Sequence, residues 1–474
     1  MSAIAVQGTS SSAGKSLLAT ALCRHFARRG LRVAPFKAQN MSNNARVVAS
    51  GEIGVAQYLQ ALAAGVEPEV RMNPVLVKPE GERQSQVIVL GSVDRELSRT
   101  PWRRRAPALW PAVESSLRAL LREFELVVIE GAGSPAEINL RDCDLANMRA
   151  ARLAEAPVLM VADIDRGGAF AHLFGTWALL AQPDRARLRG FVLNKFRGEQ
   201  ALLEPAPARL RELTGVPVLG IVPWLEHGLP DEDGASDYPS GRNGGPLVAI
   251  VRYPTASNLD EFRLLDQVAR IVWAREPGDL ADADLVVLPG SKHVASDLGW
   301  LRRTGVAAAV VEHARRGGRL LGVCGGLQML GGQLDDPAGV DGSCAGLGLL
   351  PLRTVFADAK LTRRTSARFA ALDPPWQALS GLPLRGYEIR HGRTVPCSPV
   401  REALSGALGF VSGPVLALTV HGLFEEPALV AALLGAAPHR SLEQALDELA
   451  DAVIPRLDAA ALDAFAGLAS AAAR

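Results

Sequence analysis

The feature that most constrains this chain is the stretch GTSSSAGKS, at residues 8–16. It follows the apolar run IAVQ and precedes KSLLATALCRHF, whose apolar residues have helical spacing. A strand, a loop of small residues, a lysine and a helix in this order predict a phosphate-binding loop. Successive backbone N–H groups and the N-terminus of a helix attract an anion there. The alternative is a Gly/Ser turn that only caps a helix.

Within this loop, Lys15 can reach the outer phosphates of a nucleotide, and the Ser16 hydroxyl can join a Mg²⁺ shell. The usual spacing is G-x4-G-K-[ST]. Here five residues separate Gly8 from Gly14, and Thr9 holds the position of the usual first glycine. The prediction is therefore an ATP site that uses Thr9, Gly14, Lys15 and Ser16.

Short apolar runs alternate with longer amphipathic segments, and continuous runs suit strands of a parallel sheet covered on both faces. The predicted strands of the first half are IAVQG, LRVAPFK, LVVIEGAG, PVLMVADID, GFVLNKF and VPVLGIVPW. A second series contains LVAIVRY, DLVVLPGSK, RLLGVCGG and LALTVHGLF. The predicted fold class is α/β, with two tandem doubly wound domains and mostly parallel sheets.

The length of 474 residues also favours more than one domain. Between the two series lies EHGLPDEDGASDYPSGRNGGP, which is rich in Gly, Pro and Asp, lacks periodicity and predicts a linker. The expected organisation is an ATP-binding domain at 1–228, a linker at 229–245 and a second domain at 246–474. The tail after Ser441 has leucines at helical spacing and is expected to form closing helices.

Two residues at predicted strand ends are candidates for nucleotide chemistry. Glu130 ends LVVIE, where an acidic residue can hold Mg²⁺ across from the phosphates. An ordinary strand-end carboxylate is the alternative. VLNKFRG resembles the asparagine-containing strand end that P-loop proteins use for adenine, so Asn194 is a candidate base contact. A turn role for Asn194 is equally compatible with the sequence.

Charged residues follow two of the predicted strands. The segment SPAEINLRDCDLANM contains Arg141, Asp142 and Asp144, a density that suits a substrate or metal loop. A solvated helix start would have a similar composition. VADIDRGG, which contains Arg166, lies at the end of the next predicted strand. It allows the same two interpretations, a substrate or metal loop and a solvated helix start.

The second half contains a candidate nucleophile in LGVCGGLQMLGG, residues 321–332. Cys324 stands at a predicted turn between a strand and a helix, flanked by small residues that a strained elbow requires. A thiol at a helix N-terminus has a lowered pKa and is a better nucleophile. The alternative is a buried structural cysteine, a role assigned to Cys23, Cys143, Cys344 and Cys397.

A nucleophilic thiol needs a base, and two histidines are candidates. His421, in LTVHGLFEE, follows a predicted strand, from which an α/β domain can present it to Cys324. His391, in GYEIRHGRT, competes for this role. Gly290, in VVLPGSKH, is a candidate donor of a backbone N–H to an oxyanion.

These blocks together resemble a known family. GTSSSAGKS, PFKAQNMSNN, RMNPVLVKP, EGAGSPAEINLRDCDLANM, VADIDRGGAF and NKFRG, in this order, closely resemble cobyric acid synthase, a glutamine-dependent amidotransferase of cobalamin biosynthesis. The first domain of that family is similar to dethiobiotin synthetase, which also has the wider GTxxxxGK loop. The second half resembles a class I glutamine amidotransferase domain, of flavodoxin-like topology. That class usually carries His-x-Glu, whereas Leu423 is third here. A Cys–His dyad, or an orienting group from elsewhere in the chain, is therefore expected.

The resemblance implies a reaction. Glutamine would supply ammonia at Cys324 and His421, and ATP with Mg²⁺ would activate carboxylates of a corrinoid substrate. These would be the b, d, e and g carboxylates of adenosylcobyrinic acid a,c-diamide, amidated to adenosylcobyric acid. The multiply charged corrin would find plausible anion partners in Lys37, Arg141 and Arg166.

Two rival functions remain open at this point. One is a cobyrinic acid a,c-diamide synthase with a related layout, although EGAGSPAEINL favours the first assignment. The other is a regulatory P-loop ATPase of the partitioning type with an inert amidotransferase-like domain. An intact pair of Cys324 and His421 argues against inertness.

Composition limits the partners. With 51 Lys+Arg against 50 Asp+Glu, the net charge of +1 gives no reason to expect nucleic acid or an anionic membrane as partner. No apolar run approaches the roughly 18 residues of a spanning helix. Five scattered cysteines without CxxC spacing argue against a disulfide scaffold and for a reducing cytoplasm.

Overall fold

The structure, a computed structural model, describes residues 2–79, 85–229 and 244–468. The predicted linker at 229–245 lies outside the described residues except for its ends. Among the described residues, no helix has both the length and the apolar character needed to cross a bilayer.

Residues 2–229 form strands and helices in alternation. The strands are β1 (Ser2–Gly8), β2 (Val33–Phe36), β3 (Gln39–Met41), β4 (Ala45–Val48), β5 (Gly51–Gly54), β6 (Val75–Pro79), β7 (Ser85–Val89), β8 (Ser92–Asp94), β9 (Leu126–Glu130), β10 (Val158–Asp163), β11 (Leu188–Phe196) and β12 (Val218–Pro223). The helices are α1 (Lys15–Arg28), α2 (Val55–Ala63), α3 (Arg95–Arg99), α4 (Trp102–Glu123), α5 (Met148–Leu153), α6 (Ala169–Leu179), α7 (Gln182–Arg185) and α8 (Ala206–Thr214).

The rest of the chain contains more and shorter strands. They are β13 (Leu247–Val251), β14 (Ala256–Ser257), β15 (Arg270–Ala274), β16 (Leu285–Leu288), β17 (Gly290–Ser291), β18 (Arg319–Val323), β19 (Gln333–Asp335), β20 (Cys344–Ala345), β21 (Leu352–Val355), β22 (Leu361–Arg368), β23 (Pro383–Arg390), β24 (Arg393–Pro396), β25 (Arg401–Leu404), β26 (Gly409–Ser412) and β27 (Val415–Leu418). The helices are α9 (Val294–Arg303), α10 (Val306–Arg315), α11 (Gly325–Leu330), α12 (Pro427–Leu434), α13 (Leu442–Val453) and α14 (Ala459–Phe465).

The first domain is built on a six-stranded sheet in the order β12-β11-β10-β1-β9-β2, with every pairing parallel. Its strands from β10 to β2 are buried on both faces, as their continuous apolar runs predict, while the edge strand β12 is half-buried. In β1, Ala3 and Ala5 pack into the core on one face, while Ile4 and Val6 pack into the core on the other. The carboxyl ends of β1 and β9 lie side by side, because Val6 pairs with Glu130.

The second domain contains a seven-stranded sheet in the order β15-β13-β16-β18-β27-β26-β25. The pairings from β15 to β27 are parallel, and β26 and β25 extend the sheet with antiparallel pairings. The prediction of two mostly parallel α/β sheets is therefore confirmed. The smaller sheets that contain β3 to β8 and β19 to β24 were not predicted, since short strands of mixed polarity leave no continuous apolar run.

The C-terminal tail differs from the predicted domain division. Its helices were expected to close the second domain, but α13 and α14 pack on the first. Leu446, Leu449 and Leu462 share one buried core with Leu18 and Leu22 of α1. The reason is that α1 exposes an apolar stripe on the outer face of the first sheet, and an amphipathic helix from the tail covers it.

Candidate active site

The phosphate-binding loop lies between β1 and α1, as predicted, and its shape depends on Gly14. This residue has φ 100°, in the left-handed region that favours glycine. A Cβ atom on Gly14 would stand 1.9 Å from Asn194 Nδ2. Asn194 Nδ2 donates a hydrogen bond of 2.9 Å to the Ala13 carbonyl. The structure thus uses the Asn194 amide to hold the loop, and its contact with adenine stays a prediction.

The ammonium group of Lys15 lies at the carboxyl ends of the central strands. It donates to the Ser10 carbonyl at 2.9 Å and to the Gly133 carbonyl at 3.2 Å, so the segment after β9 closes over the loop. The lysine is nearly buried. A buried ammonium beside the N-terminus of α1 gives a strongly positive field, which suits the outer phosphates of a nucleotide.

Glu130 is the centre of a buried polar cluster beside this loop. Its Oε1 accepts from Ser16 Oγ at 2.7 Å and from Lys37 Nζ at 2.9 Å. Its Oε2 accepts from Gln57 Nε2 at 3.3 Å and from Gln60 Nε2. A carboxylate and a hydroxyl in contact are oxygen ligands of the kind that Mg²⁺ prefers, so Ser16 and Glu130 fit a metal that also binds phosphates.

Of the predicted substrate residues, Lys37 is the one that reaches this cluster. Arg141 and Asp142 are exposed, and Arg141 Nη2 donates to the Leu179 carbonyl at 2.9 Å. Arg166 is also exposed and lies 3.6 Å from Asp163. The structure therefore leaves these three residues at the surface, where a role in substrate binding stays a prediction.

Asp144 has a structural role instead. Its Oδ1 accepts from the backbone N–H groups of Ala146 and Asn147 at 3.0 and 3.1 Å, next to the start of α5. Burial raises the pKa of its carboxyl, and these hydrogen bonds oppose that shift. Asp144 thus holds the turn that leads into α5, and its role toward substrate stays a prediction.

Cys324 occupies a strained turn between β18 and α11, which matches the predicted elbow. Its φ of 51° and ψ of −103° lie outside the regions that L residues favour. Two glycines follow because the backbone is crowded there. A Cβ on Gly326 would stand 1.9 Å from the Leu288 carbonyl oxygen, and a Cβ on Gly325 would stand 2.6 Å from Ser291 N. Strain of this kind is typical of functional sites.

His421 is the base that the structure brings to Cys324. The imidazole is buried beside the Cys324 side chain, whose Sγ donates to the Ile389 carbonyl at 3.7 Å. Its Nδ1 lies 2.9 Å from Glu261 Oε1. Burial works to lower the pKa of His421, but the charges of Glu261 and Cys324 outweigh it and raise the pKa to about 10. The imidazole is therefore held as a cation beside the sulfur.

Glu261 is the orienting group that sequence reasoning did not identify. Leu423, at the position of the usual acid, is fully buried among apolar side chains. Glu261 comes instead from the 3₁₀ segment Leu259–Gln267, and its Oε2 also accepts from Gly422 N at 2.9 Å. Nothing in NLDEF distinguishes this acid from its neighbour Asp260 in sequence, because only the fold brings it to His421.

Gly290 and Tyr387 complete the surroundings of His421. A Cβ on Gly290 would lie 2.9 Å from His421 Cε1, so a side chain there would collide with the imidazole. The Tyr387 ring stacks on the His421 ring, with centroids 5.1 Å apart and planes at 13°. Gly290 is thus close enough to serve the reacting centre, and its role as an oxyanion donor stays a prediction.

His391, the competing candidate, has a different partner. Its Nδ1 lies 3.2 Å from the Ala357 carbonyl oxygen. Burial, with the nearby charge of Lys360, lowers its pKa to about 4. His391 lines the cavity at Cys324 but belongs to its wall.

The thiol faces a cavity at the junction of the two domains. Its walls include Cys324 and Arg390 of the second domain together with Asn43 and Lys78 of the first. It shares Lys292, Lys360 and His391 with a larger cavity of about 1120 Å³. Cys324 does not line this larger cavity, and the cavity at the thiol itself holds about 60 Å³. The larger cavity can admit an amino acid, and its basic rim suits a carboxylate.

Fold and site together define a class: a P-loop nucleotide-binding domain joined to a Cys–His–Glu amidotransferase domain. The family models agree. Residues 4–229 match the CobQ/CobB/MinD/ParA nucleotide binding domain, and residues 247–429 match the CobB/CobQ-like glutamine amidotransferase domain. Full-length relatives narrow this class. The chain is 57% identical over 473 residues to a cobyric acid synthase of Paracidovorax citrulli, covering 95% of this chain and 96% of the relative.

A cobyric acid synthase of Variovorax paradoxus is 54% identical over 470 residues, covering 97% of this chain and 98% of the relative. The chain belongs to the cobyric acid synthase family. Among solved structures, PurLQS from Thermotoga maritima matches with a TM-score of 0.32 and 18% identity, covering 44% of this chain and 97% of that chain.

Proposed function

We propose that this protein amidates carboxylates of a corrin, using ATP to activate each acid and glutamine as the source of nitrogen. The substrate would be adenosylcobyrinic acid a,c-diamide, and amidation of its b, d, e and g side chains would give adenosylcobyric acid. The observation that carries the proposal is the meeting of two centres in one molecule. An anion-binding loop with Lys15 stands in one domain, and a Cys324–His421–Glu261 arrangement stands in the other.

The second domain would release ammonia. The Cys324 thiolate attacks the side-chain amide carbon of glutamine, and His421 donates its proton to the departing nitrogen. Ammonia leaves and a glutamyl thioester remains. Water then attacks the thioester, with His421 accepting a proton, so that glutamate and the thiol are restored. Glu261 holds the imidazole in the orientation that both proton transfers need.

The first domain would prepare the acceptor. A carboxylate is a poor electrophile because of its charge and resonance, and phosphorylation gives it a good leaving group. Lys15 and the backbone N–H groups of the loop would stabilise the charge of the transferring phosphoryl group. Ser16 and Glu130 would hold Mg²⁺, which supplies charge neutralisation on the phosphates.

Ammonia must pass from one domain to the other, and the shared cavity favours a direct handover. Asn43 of the first domain lines the cavity at Cys324. Its Oδ1 is buried and has no hydrogen-bond partner among the described residues. A carbonyl oxygen in this position can accept an N–H from ammonia as the C–N bond of the glutamine amide breaks beside the thiol.

The experiment uses two variants, each assayed with ATP, Mg²⁺, the corrinoid and either glutamine or ammonia. Cys324→Ala is expected to lose glutamine-dependent amidation and to keep the ammonia-dependent reaction, because only ammonia release needs the thiol. Lys15→Ala is expected to lose both. Mass spectrometry of the product counts the carboxylates that have become amides.

Two results would contradict this function. Full glutamine use by Cys324→Ala would remove the thiol from the reaction. ATP-independent amidation would remove the acyl phosphate. Cys397→Ala is the matched control, since Cys397 is exposed and lies outside both cavities. It is expected to behave as the unaltered protein does.

A further inference from the structure

One side chain of the first domain reaches the surroundings of His421 in the second. Arg46 lies on β4 and is only 5% exposed. Its Nη1 donates to the Tyr387 hydroxyl at 2.6 Å, and its Nη2 donates to Asp260. It also forms an ion pair with Glu425. All three partners belong to the second domain.

These partners adjoin the residues that hold the imidazole. Tyr387 stacks on His421, and the two residues exchange backbone hydrogen bonds of 2.9 and 3.2 Å. Asp260 directly precedes Glu261. Glu425 ends the turn Leu423–Glu425, which follows His421 by two residues. Arg46 therefore touches the elements on three sides of the Cys324 base.

A second contact from the same strand strengthens this junction. Asn258 Nδ2 donates to the Ala45 carbonyl at 2.9 Å and to the Tyr387 hydroxyl at 2.7 Å. The Tyr387 hydroxyl thus accepts from both domains. Arg46 of β4 and Asn258, which is itself bonded to β4, thus fix the hydroxyl of the ring that stacks on His421.

The positive charge of Arg46 compensates a buried negative charge on Asp260. Burial raises the pKa of the Asp260 carboxyl, and Arg46 opposes that shift. Burial also works against the charge of Arg46, but Asp260 and its neighbours outweigh it and hold the pKa of the guanidinium above its ordinary range. Without this cation, Asp260 would be a buried carboxylate without compensation beside Glu261, and the segment would have to rearrange.

We propose that Arg46 is a positioning residue for glutamine hydrolysis, supplied to the second domain by the first. Arg46 fixes Tyr387 and Asp260, and through them it fixes His421 and Glu261. The inference rests on the proposed function only in requiring that Cys324 and His421 hydrolyse glutamine. It adds that the second domain's base is in place only when β4 of the first domain is seated against it.

The segment that contains β4 also reaches the phosphate site of the first domain. The hairpin of β4 and β5 leads directly into α2, whose Gln57 and Gln60 hold Glu130 at the phosphate site. One continuous segment, 45–63, thus contacts both centres. Release of ammonia is thereby tied to a correctly placed first domain.

The test measures glutamate release by the full-length protein in the presence of ATP, Mg²⁺ and the corrinoid, with the unaltered protein and Arg46→Gln. The expected result is a fall in kcat of about 10²-fold, the cost of a misplaced catalytic group. KM for glutamine should stay unchanged, because Arg46 does not line either cavity described above. ADP release with ammonia as nitrogen source should also stay unchanged.

Two further variants separate positioning from general damage. Arg364→Gln removes another arginine that crosses between the domains, to Glu67 and, at 3.5 Å, to the Val47 carbonyl of β4. Its side chain has no hydrogen bond or ion pair with Tyr387 or Asp260 among the described residues, so it tests loss of a cross-domain arginine without loss of the Arg46 contacts. It is expected to leave kcat unchanged. Tyr387→Phe keeps the stacked ring and removes the hydroxyl that accepts from Arg46. It is expected to lower kcat several-fold, again at constant KM for glutamine.

The outcomes distinguish this inference from the proposed function. Absence of glutamate release by the unaltered protein would refute the proposed function. Normal glutamate release by Arg46→Gln and Tyr387→Phe would overturn the positioning role alone. An equal fall in the glutamine-dependent and ammonia-dependent rates of Arg46→Gln would also overturn it, since Arg46 would then support the fold.

Discussion

At the scale of single residues, Glu261 carries the charge that most strongly raises the pKa of His421. Its carboxylate contacts the imidazole at 2.9 Å in a fully buried position, where a charge acts strongly. Burial alone would lower the pKa of His421 below 6.5, whereas with Glu261 and Cys324 the pKa is about 10. Below that value the imidazole carries the proton that the departing ammonia needs.

We therefore predict the effect of Glu261→Gln, which keeps the size of the side chain and removes its charge. The pKa of His421 should fall, so that less of the imidazole is protonated at pH 7. Glutamate release should fall by about 10²–10⁴-fold. Alkylation of Cys324 by iodoacetamide at pH 7, followed by peptide mass spectrometry, should slow as well.

The exposed Cys397 supplies an internal reference for this measurement, since its alkylation rate should not change. Ammonia-dependent amidation should also be retained, because it does not use the thiol. Unchanged alkylation of Cys324 in Glu261→Gln would show that the carboxylate does not control the sulfur.

At the scale of elements, α13 supports the helix that follows the phosphate-binding loop. Leu446 is fully buried against α1, and Arg24 of α1 forms a bidentate pair with Asp447 at 2.8 and 2.9 Å. The Ser441 hydroxyl caps α13 by accepting from the Gln444 backbone N–H, and the side-chain oxygen of Gln444 accepts from the Ser441 backbone N–H. The element thus has its own start signal and an apolar face that packs on α1.

Leu446→Ala is expected to destabilise the first domain by about 2–5 kcal/mol, because it leaves a cavity between α13 and α1. Thermal unfolding followed with and without ATP is the measurement, and the midpoint should fall in both conditions. Glu443→Ala is the matched control on the same helix. It removes an exposed ion pair with Arg24, worth less than about 1 kcal/mol. Equal effects of the two variants would show that α13 contributes little packing.

At the scale of the whole molecule, buried charges hold the two domains together. Glu52 of the first domain pairs with Lys78 of the same domain and with Lys360 of the second, and it is only 1% exposed. Burial works to raise the pKa of Glu52, but the two lysines outweigh it and lower the pKa from 4.5 to about 2. Burial lowers the pKa of Lys78 well below its ordinary range, so the cluster depends on its carboxylate.

We predict that Glu52→Gln destabilises the protein by about 3–5 kcal/mol near pH 7, because the buried Lys78 and the largely buried Lys360 lose their carboxylate partner. The folded-state pKa of Glu52 lies below its ordinary value, so its contribution is complete above pH 4.5 and is lost as the pH falls toward 2. Urea unfolding of both proteins across this range should show the difference in free energy of unfolding shrinking as the pH falls.

The surface pair of Arg95 and Asp358 also joins the domains and is the control for this series. Arg95→Gln should have a small effect at every pH, because both groups are exposed. The lowered pKa of Glu52 would be refuted if the difference in free energy of unfolding between Glu52→Gln and the unaltered protein stayed constant from pH 7 to pH 2.

Much of this architecture is determined by local sequence. Continuous apolar runs predicted the central strands of both sheets, since a strand covered on both faces needs apolar residues at every position. The glycines at 14, 325 and 326 stand where a side chain would collide with the backbone or with Asn194. Although these collisions are with distant residues, the glycines themselves stand in the short patterns GTSSSAGKS and VCGG, which located the loop at Lys15 and the elbow at Cys324.

The tertiary structure alone decided which distant groups meet. Glu261 reaches His421 across 160 positions, Arg46 reaches Tyr387 across 341, and α13 returns to α1 from the other end of the chain. Burial then sets their charge states, as the opposed pKa shifts of His421 and His391 demonstrate. Contacts of this kind depend on the packing of separate elements, and no local pattern of residue types encodes them.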